Sequence, residues 1–350
     1  MSYNIFIMSI KRRVTLQEIS QAAGCSLAVA SRALSSDALQ HRSVAPETAA
    51  RVIAVARQLG WTPRKTLRSQ RAVGVIGVFL PASGSPLMLE LLDSINVAMR
   101  PYNTPIYCYS STNADCYRQF CENHLSGNRT VGVISYYPVE DSHLPTFMEM
   151  YEKLRRRDLP LVIVHNNAPE NFPAVSVKID NFYGGMLGGE HLLKVGCRKL
   201  FVFGNNSQSY RYERLRGCCE AFNKHNISYH TIVREDETMQ HELLEILKQI
   251  EPFADWKSPE PIGIFADGMH STLTIHNYFQ SKGIAIGQKL KLVGYDDSSM
   301  LVSAYPSITA VRQPFAQMGK VAVKKLFNML NGTAEKSVHL QPELIIRQST

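Results

Sequence analysis

From Val73 onward, short runs rich in β-branched and aromatic residues alternate with amphipathic stretches of helical length. Nine runs predict strands: Val73–Leu80, Ile106–Ser110, Val131–Ser135, Leu161–His165, Ala174–Ile179, Lys199–Phe203, Ser228–Val233, Ile262–Ala266 and Lys291–Tyr295. Helices are predicted between them, among them Pro86–Arg100, Asp115–Leu125, Tyr183–Val195, Arg214–His225, Glu242–Ile250 and Ser271–Lys282. Such alternation is typical of parallel sheets covered by helices. Nine strands are too many for one comfortable sheet, so we expect two doubly wound α/β lobes.

The first fifth of the chain differs from the rest in charge. Residues 1–72 contain eleven Lys and Arg but three acidic residues, so this segment alone carries the whole net charge of +8. The remainder contains 27 basic and 27 acidic residues. A small basic segment on a neutral body indicates a polyanionic partner for the segment and a different kind of ligand for the body.

The basic segment begins with signals for two short helices. Residues 15–18 have the spacing of a capping box, in which Thr15 caps a helix and Glu18 reaches back to the Thr15 backbone. Gly24 ends this helix, and Ser26 is placed to cap a second helix that runs to Leu34. Two short helices joined by a turn that contains glycine are typical of the helix-turn-helix motif.

A third helix is predicted from Pro46, since the missing proline N–H costs nothing at the first helical position, and it ends at Gly60. The alternative is a structural cap of three helices with a solvated basic face. The order of these signals, together with the charge, favours DNA binding.

Composition and motifs exclude several classes of protein. No run of about 18 apolar residues is present to span a membrane, and residues 1–13 place their apolar stretch before their charges, opposite to a secretory signal. The seven cysteines contain no CxxC pair, as expected for reduced thiols in the cytoplasm. No phosphate-binding loop, nucleophile elbow or metal-ligand spacing occurs, so we predict no enzymatic activity, no cofactor and no metal.

Four stretches closely resemble the headpiece of lac-repressor-type (LacI/GalR) bacterial regulators. They are VTLQEISQAAGCS at Val14–Ser26, VASRAL at Val29–Leu34, VAPET at Val44–Thr48 and LGWTP at Leu59–Pro63. The resemblance implies a small all-α helix-turn-helix headpiece whose second helix enters the major groove of DNA. The loop at residues 35–43 is about four residues longer than is usual in this family.

The resemblance also assigns roles within the headpiece. Leu27 and Ala28 occupy the main base-reading positions, and Arg32 is the polar reader. Apolar readers contact only thymine methyl groups, so Arg32, bidentate to guanine, is expected to dominate direct readout. Five further positions match backbone contacts that fix the register on the duplex. They are Thr15, Ser26, Val29, Ser31 and Thr48.

The segment after the headpiece departs from the family pattern. Relatives form a hinge helix there and insert a leucine into the minor groove, which kinks the duplex. The corresponding position, seven residues after Pro63, is Gln70, and Leu67 lies one helical turn earlier. Either Leu67 is the wedge of a shifted hinge, or the segment is a basic tether without an apolar wedge.

The body resembles the same family at lower specificity. Its motifs, in family order, are IDN at Ile179–Asn181, GEHLL at Gly189–Leu193, RLRG at Arg214–Gly217, VGYDD at Val293–Asp297 and TAVRQP at Thr309–Pro314. The resemblance implies an α/β periplasmic-binding-protein-like core, with two doubly wound lobes joined by three crossovers. Its ligand is expected between the lobes, at the carboxyl ends of the strands.

Three regions are therefore predicted. The headpiece covers residues 14–62, a hinge or linker covers 63–72, and the effector-binding and dimerisation core covers 73–350. Within the core, the first lobe is expected over about 73–172 and 313–340, and the second over about 173–312 and 341–350.

The resemblance assigns effector binding first to Arg214 and Asp296, which match an arginine and an aspartate that bind sugar hydroxyls in relatives. A guanidinium donor facing a carboxylate acceptor suits a polyol, and a structural salt bridge is the alternative for each residue. Ser85, His165 and Asp267 are further candidates.

Two departures in the body indicate an unusual or narrowed effector. Ala266 stands where asparagine is usual in relatives, and Ser85 stands where asparagine is frequent. Tyr210 and Phe315 could stack on a ring, although lone aromatic residues are more often part of the core.

These observations predict a ligand-responsive transcriptional regulator, a repressor of a carbohydrate-use operon. We expect it to be cytoplasmic, to bind double-stranded operator DNA with a near-palindromic sequence as a homodimer, and to respond to a sugar or sugar derivative. No membrane association is expected. The alternative is a solute-binding receptor for a sugar with an accessory basic head.

Overall fold

The computed structural model describes residues 14–34, 44–59, 74–81, 86–126, 130–138, 140–166, 168–169, 171–205, 209–234, 247–248 and 258–350. The chain divides into two units, Met1–Val73 and Gly74–Thr350, each with its own hydrophobic core. No described helix has both the length and the apolar character needed to cross a membrane.

Within its described residues, the first unit consists of α1 (Leu16–Ala22), α2 (Leu27–Ala33) and α3 (Pro46–Gln58). The predicted capping box is present: the Thr15 amide donates to Glu18 Oε2 (2.7 Å), and the Glu18 amide donates to Thr15 Oγ1 (3.3 Å). Ser26 caps α2 by accepting a hydrogen bond from the Val29 amide (3.3 Å). The three predicted helices are thus confirmed, while Gly60 lies outside the described residues.

Twelve strands occur in the described part of the core. They are β1 (Val75–Phe79), β2 (Ile106–Tyr109), β3 (Thr130–Tyr136), β4 (Leu161–Val164), β5 (Val175–Ile179), β6 (Lys199–Asn205), β7 (His230–Arg234), β8 (Ile262–Ala266), β9 (Leu290–Tyr295), β10 (Thr309–Arg312), β11 (Val338–Leu340) and β12 (Glu343–Ile345). All nine predicted strands are confirmed, with ends within two residues. Strands β10 to β12 are not predicted by the pattern, and each has only three or four residues.

The helices described in the core are α4 (Pro86–Met99), α5 (Ala114–Phe120), α6 (Leu144–Arg155), α7 (Asn181–Lys194), α8 (Ser209–Lys224), α9 (Met269–Ser281), α10 (Ser299–Ser303) and α11 (Phe315–Leu330). The helix predicted over Asp115–Leu125 is α5 followed by one wider π-type turn. Of the helix predicted at Glu242–Ile250, only residues 247 and 248 are described.

The strands form two six-stranded sheets, as the sequence pattern predicts. The first has the order β11-β5-β4-β3-β1-β2 and is parallel throughout. The second has the order β12-β10-β9-β8-β6-β7, in which β12 runs antiparallel to β10. Helices α4 and α11 pack together against the first sheet, and α7 and α8 pack together against the second. These sheets define the two lobes.

The position of β5 corrects one predicted lobe boundary. The sequence-based boundary near residue 172 assigns Val175–Ile179 to the second lobe, but this strand pairs in parallel with β4 and β11 in the first sheet. The first lobe therefore continues to residue 179. The chain crosses between the lobes after β5, after β10 and after β11, which gives the three crossovers that the family resemblance implies.

Candidate functional sites

The second helix of the headpiece has two distinct faces. Ala30 and Ala33 are buried in the headpiece core beside Ile19 and Val52. The opposite face is exposed, and it carries the predicted reading positions: Leu27, Ala28, Ser31 and Arg32. Leu27 is 53% exposed, which is unusual for a leucine in a small core-forming unit. This face presents methyl groups and one guanidinium to solvent, the two chemistries that read thymine and guanine in a major groove.

The predicted backbone-contact residues differ in what they do inside the headpiece. The hydroxyl oxygens of Thr15 and Ser26 cap α1 and α2, and both residues remain exposed. Val29 and Thr48 are half-buried, and Val29 packs against the headpiece core. The predicted hinge residues Leu67 and Gln70 lie outside the described residues.

In the core, the predicted effector residues come from strand ends of both lobes. His165 follows β4 in the first lobe, while Asp267 and Asp296 follow β8 and β9 in the second. Because the strands of each sheet are parallel, their carboxyl ends meet at one edge, where open α/β sheets bind ligands. His165 and Asp296 both adopt left-handed backbone conformations, with φ of 73° and 67°. Such backbone conformations are strained and persist only where the surrounding structure holds them in place. They are frequent at ligand sites.

Arg214 is the centre of the polar network in this cleft. Its side chain is 1% exposed. Nε donates to Asn181 Oδ1 (2.9 Å), and Nη1 donates to the backbone carbonyl of Asp267 (2.6 Å). The guanidinium also lies over the Tyr295 ring, with Cζ 3.8 Å from the ring centroid. These contacts fix a cation in a dry site, where its hydrogen bonds and stacking offset the cost of desolvation.

Arg214 and Asp296 form an ion pair, with Nη1 3.3 Å from Oδ1. Asp296 Oδ1 also accepts a hydrogen bond from Gln313 Nε2, at the crossover between β10 and α11. The structure therefore brings the two predicted effector residues together, and the structural salt bridge that the sequence left open is present. Asp296 remains partly accessible, with 15% of its side chain exposed.

The neighbouring aspartate, Asp297, has a purely structural set of contacts. It accepts two hydrogen bonds from Arg312 (2.7 and 3.0 Å) and two from Arg347 (2.7 and 2.9 Å). Its side chain is 2% exposed. These two arginines, on β10 and after β12, use the acceptor capacity of Asp297, so of the two adjacent aspartates only Asp296 faces the cleft.

Asp267 is fully buried and forms an ion pair with Arg211, whose Nη1 lies 3.3 Å from Asp267 Oδ2. Arg211 lies one helical turn before Arg214 on α8. Gly268, the residue after Asp267, has no side chain and so leaves room for Arg211 and Asp296. A β-carbon on Gly268 would lie 3.1 Å from Arg211 Nη1 and 3.4 Å from Asp296 Oδ2. The two arginines and two aspartates thus form adjacent pairs in the second lobe.

Four rings pack together where the two lobes meet, and we call them the aromatic surface: Tyr136, His165, Phe315 and Tyr210. Tyr136, His165 and Phe315 are buried in the structure. His165 stacks on Tyr136, with centroids 4.9 Å apart and planes 17° apart, and it lies parallel to Phe315 at 6.3 Å. Tyr210, from α8 of the second lobe, meets His165 edge-on at 4.7 Å. This contact joins the lobes across the cleft. Burial raises the pKa values of Tyr136 and Tyr210, so both hydroxyl groups stay protonated at neutral pH.

Arg214, Asp296, Asp267 and His165 are brought together, while Ser85 lies outside the described residues. Phe315 is a core residue, as the interpretation of lone aromatic residues has it, and is 1% exposed, while Tyr210 contacts His165 of the opposite lobe. Three cleft residues were not predicted: Tyr136, Arg211 and Gln313. Only their positions in the sequence could have indicated them. Tyr136 is the last residue of a strand, Gln313 directly follows a strand, and Arg211 lies one helical turn before Arg214.

Comparisons with known proteins give this architecture a context. A family profile described as a periplasmic binding protein-like domain matches residues 190–350. The sucrose operon repressor of Streptococcus mutans is 27% identical over 322 residues, covering 90% of this chain and 92% of that protein. The HTH-type transcriptional repressor PurR of Serratia proteamaculans is 24% identical over 349 residues, covering 96% of each chain.

One solved structure extends the likeness to both units. The lac repressor dimer bound to operator and the anti-inducer ONPF matches with a TM-score of 0.63 and 19% identity, covering 97% of this chain and 99% of that one. At this level of identity, the match shows a shared fold. A solved protein therefore combines a helical headpiece and a two-lobed core in one chain.

Proposed function

We propose that this chain is a member of the LacI/GalR family of transcriptional regulators and a ligand-responsive repressor with separate DNA-reading and effector-binding sites. The observation that carries the proposal is the exposed face of α2. A leucine that is 53% exposed beside an exposed arginine has no role in the headpiece core, but both side chains suit the major groove.

The proposed division of the chain follows its two units and its charge. Residues 14–62 form the headpiece, 63–72 form the hinge or linker, and 73–350 form the core. The headpiece reads bases through Leu27, Ala28 and Arg32 and holds the phosphate backbone through neighbouring polar residues. Leu67 remains the candidate wedge of the hinge, with a basic tether around Gln70 as the alternative.

We propose that two copies bind one near-palindromic operator. The supporting observation is the lac repressor match, whose structure is a dimer on its operator. A short recognition helix reads only a few base pairs, so two heads about one helical turn apart supply the rest of the site and its symmetry.

We propose that the effector is a sugar or sugar derivative bound between the lobes at Arg214, Asp296, Asp267 and His165. The sucrose operon repressor among its relatives supports this class of ligand. A ligand that favours one arrangement of the lobes changes operator affinity, and by linkage DNA changes the affinity for that ligand in the same proportion.

Arg32→Ala is the substitution that tests the reading face. Loss of a bidentate contact with guanine costs about 1–3 kcal/mol of discrimination, which is about five- to 150-fold in relative affinity. A duplex selected from a random library and a scrambled duplex are compared in gel-shift titrations. We expect wild type to prefer the selected duplex and Arg32→Ala to lose most of that preference.

Arg57→Ala is the matched control, because Arg57 is an exposed arginine in the last turn of α3 and its removal lowers the headpiece charge equally. It is expected to weaken both duplexes similarly and to keep the preference. Unchanged discrimination in Arg32→Ala would show that α2 does not read bases. Failure of the wild-type chain to select any duplex would favour the solute-binding receptor instead.

A further inference from the structure

We propose that the cleft between the lobes selects an uncharged, ring-shaped ligand, which packs on the aromatic surface and donates a hydrogen bond to Gln313, and that it rejects phosphorylated or acidic forms of the same ring. This inference rests on the proposed function, because it specifies the chemistry of the effector. Three independent features of the cleft support it: its charge balance, its aromatic surface and one buried acceptor.

The charges that line the cleft are balanced within the protein. Arg211 pairs with Asp267, and Arg214 pairs with Asp296, each at 3.3 Å. The side chains of Asp267 and Arg214 are 0% and 1% exposed, so water contributes little to their solvation. An added phosphate or carboxylate would meet cations that already have carboxylate partners. Burying such an uncompensated anion is strongly unfavourable.

The aromatic surface supplies the apolar contact that a ring needs. Tyr136, His165 and Phe315 belong to the first lobe, and Tyr210 belongs to the second. Tyr210 meets His165 edge-on, so a ligand that enters between the lobes must contact or displace Tyr210. Ring faces bind other flat or weakly polar ring faces, through dispersion and the quadrupole of the aromatic system.

Gln313 provides the specific polar contact. This residue is 3% exposed, and its Nε2 donates to Asp296 Oδ1. Its Oε1 is buried and has no hydrogen-bond partner among the residues that the structure describes. The amide orientation is set by Asp296, since the reverse orientation would place an oxygen against a carboxylate. A buried acceptor without a donor is costly, so a ligand O–H or N–H at this point is favoured over a phosphate oxygen.

The direct test measures binding of matched probe ligands to the full-length chain by calorimetry. The pairs are sucrose with sucrose 6-phosphate, ribose with ribose 5-phosphate, and glucose with glucose 6-phosphate and glucuronate. Adenine and hypoxanthine form a second arm that separates a sugar ring from a planar heterocycle. We expect one uncharged compound to bind, and its charged counterpart to bind at least about tenfold more weakly. Tighter binding of a charged member, or no binding by any uncharged compound, overturns the proposal.

Gln313→Leu tests the acceptor with whichever probe binds. Loss of one neutral hydrogen bond predicts about three- to tenfold weaker binding. Gln317→Leu, the same change at an exposed position in the first turn of α11, is expected to leave the affinity unchanged. Equal affinities of Gln313→Leu and wild type would remove Gln313 from the site.

Tyr210→Ala gives a second test that does not depend on Gln313 variants folding. Tyr210 borders the cleft, while Tyr212, two residues later on α8, is 51% exposed and serves as the matched control. Tyr210→Ala is expected to weaken probe binding at least about fivefold, and Tyr212→Ala is expected to have no effect. Thermal unfolding of all four variants checks that each chain is folded.

Operator binding separates failure of this inference from failure of the proposed function. Selective DNA binding that responds only to a charged ligand retains the proposed function and overturns the charge selection. Absence of selective DNA binding contradicts the proposed function, whatever the cleft binds.

Discussion

His191 shows how one buried side chain makes the stability of this fold depend on pH. It lies on α7, is 8% exposed, and its Nε2 is 2.9 Å from Thr350 Oγ1. Burial lowers the pKa of His191, and the positive charges of Lys194 and Lys291 lower it further. The folded state therefore favours the neutral imidazole. As the pH falls below the ordinary histidine pKa of 6.5, the unfolded chain binds a proton that the folded chain resists.

We therefore expect the free energy of unfolding to fall between about pH 7 and about pH 5, and His191→Gln to reduce that fall. Urea denaturation at the two pH values measures it. His270→Gln changes an exposed histidine on α9 and is the control. The same pH dependence in His191→Gln and wild type would show that His191 is not the group responsible.

At the scale of elements, the packing of α7 on α8 positions Arg214. A β-carbon on Gly185 would fall far inside contact distance of the Arg214 carbonyl oxygen, and one on Gly217 would meet the Phe182 carbonyl in the same way. The helix backbones approach closely only because both residues are glycine. The close approach of α8 to α7 therefore fixes the position of Arg214 in the cleft.

Gly185→Ala is expected to lower the free energy of unfolding by about 1–3 kcal/mol, because an added methyl group forces the two helices apart. The same substitution is expected to weaken ligand binding, since Arg214 moves with α8. Urea denaturation gives the first quantity and calorimetry the second. Asn223→Ala, at an exposed position on α8, is the control; a Gly185→Ala chain as stable as this control would contradict the account.

The glycine-rich start of α7 also shows what sequence can and cannot reveal about elements. Its small residues allow close packing of the helix on the sheet, because β-carbons on Gly184 and Gly188 would collide with Tyr295 and Phe265. The second close surface, between Gly185 and α8, could not be predicted. Periodicity identifies which residues share a face of a helix, but not which other helix lies against that face.

At the scale of the molecule, the sequence predicts local elements but not the pairing of distant strands. Strand runs and capping signals lie within a few residues, so the nine strands and the headpiece helices could be predicted. β5 lies between β4, the preceding strand, and β11, some 160 residues later, and the strand pattern does not indicate which strands pair. The pairs Arg211–Asp267 and Gln313–Asp296 likewise join different elements. Arg211 lies on α8 and Asp267 follows β8, while Gln313 follows β10 and Asp296 follows β9. Motif resemblance supplied Arg214 and Asp296 because those positions stand in recognisable sequence motifs.

The charge division supports the central claim about the molecule, that a basic headpiece reads DNA under control of a neutral core. Its most direct test is a fluorescence anisotropy titration of the full-length chain with the selected duplex and with a scrambled duplex. The titration is repeated at several salt concentrations, with and without the ligand that binds the core. We predict preference for the selected duplex, affinity that falls steeply with salt, and a shift in that affinity when ligand is added. Equal affinity for both duplexes, or an affinity that ligand leaves unchanged, would contradict this account.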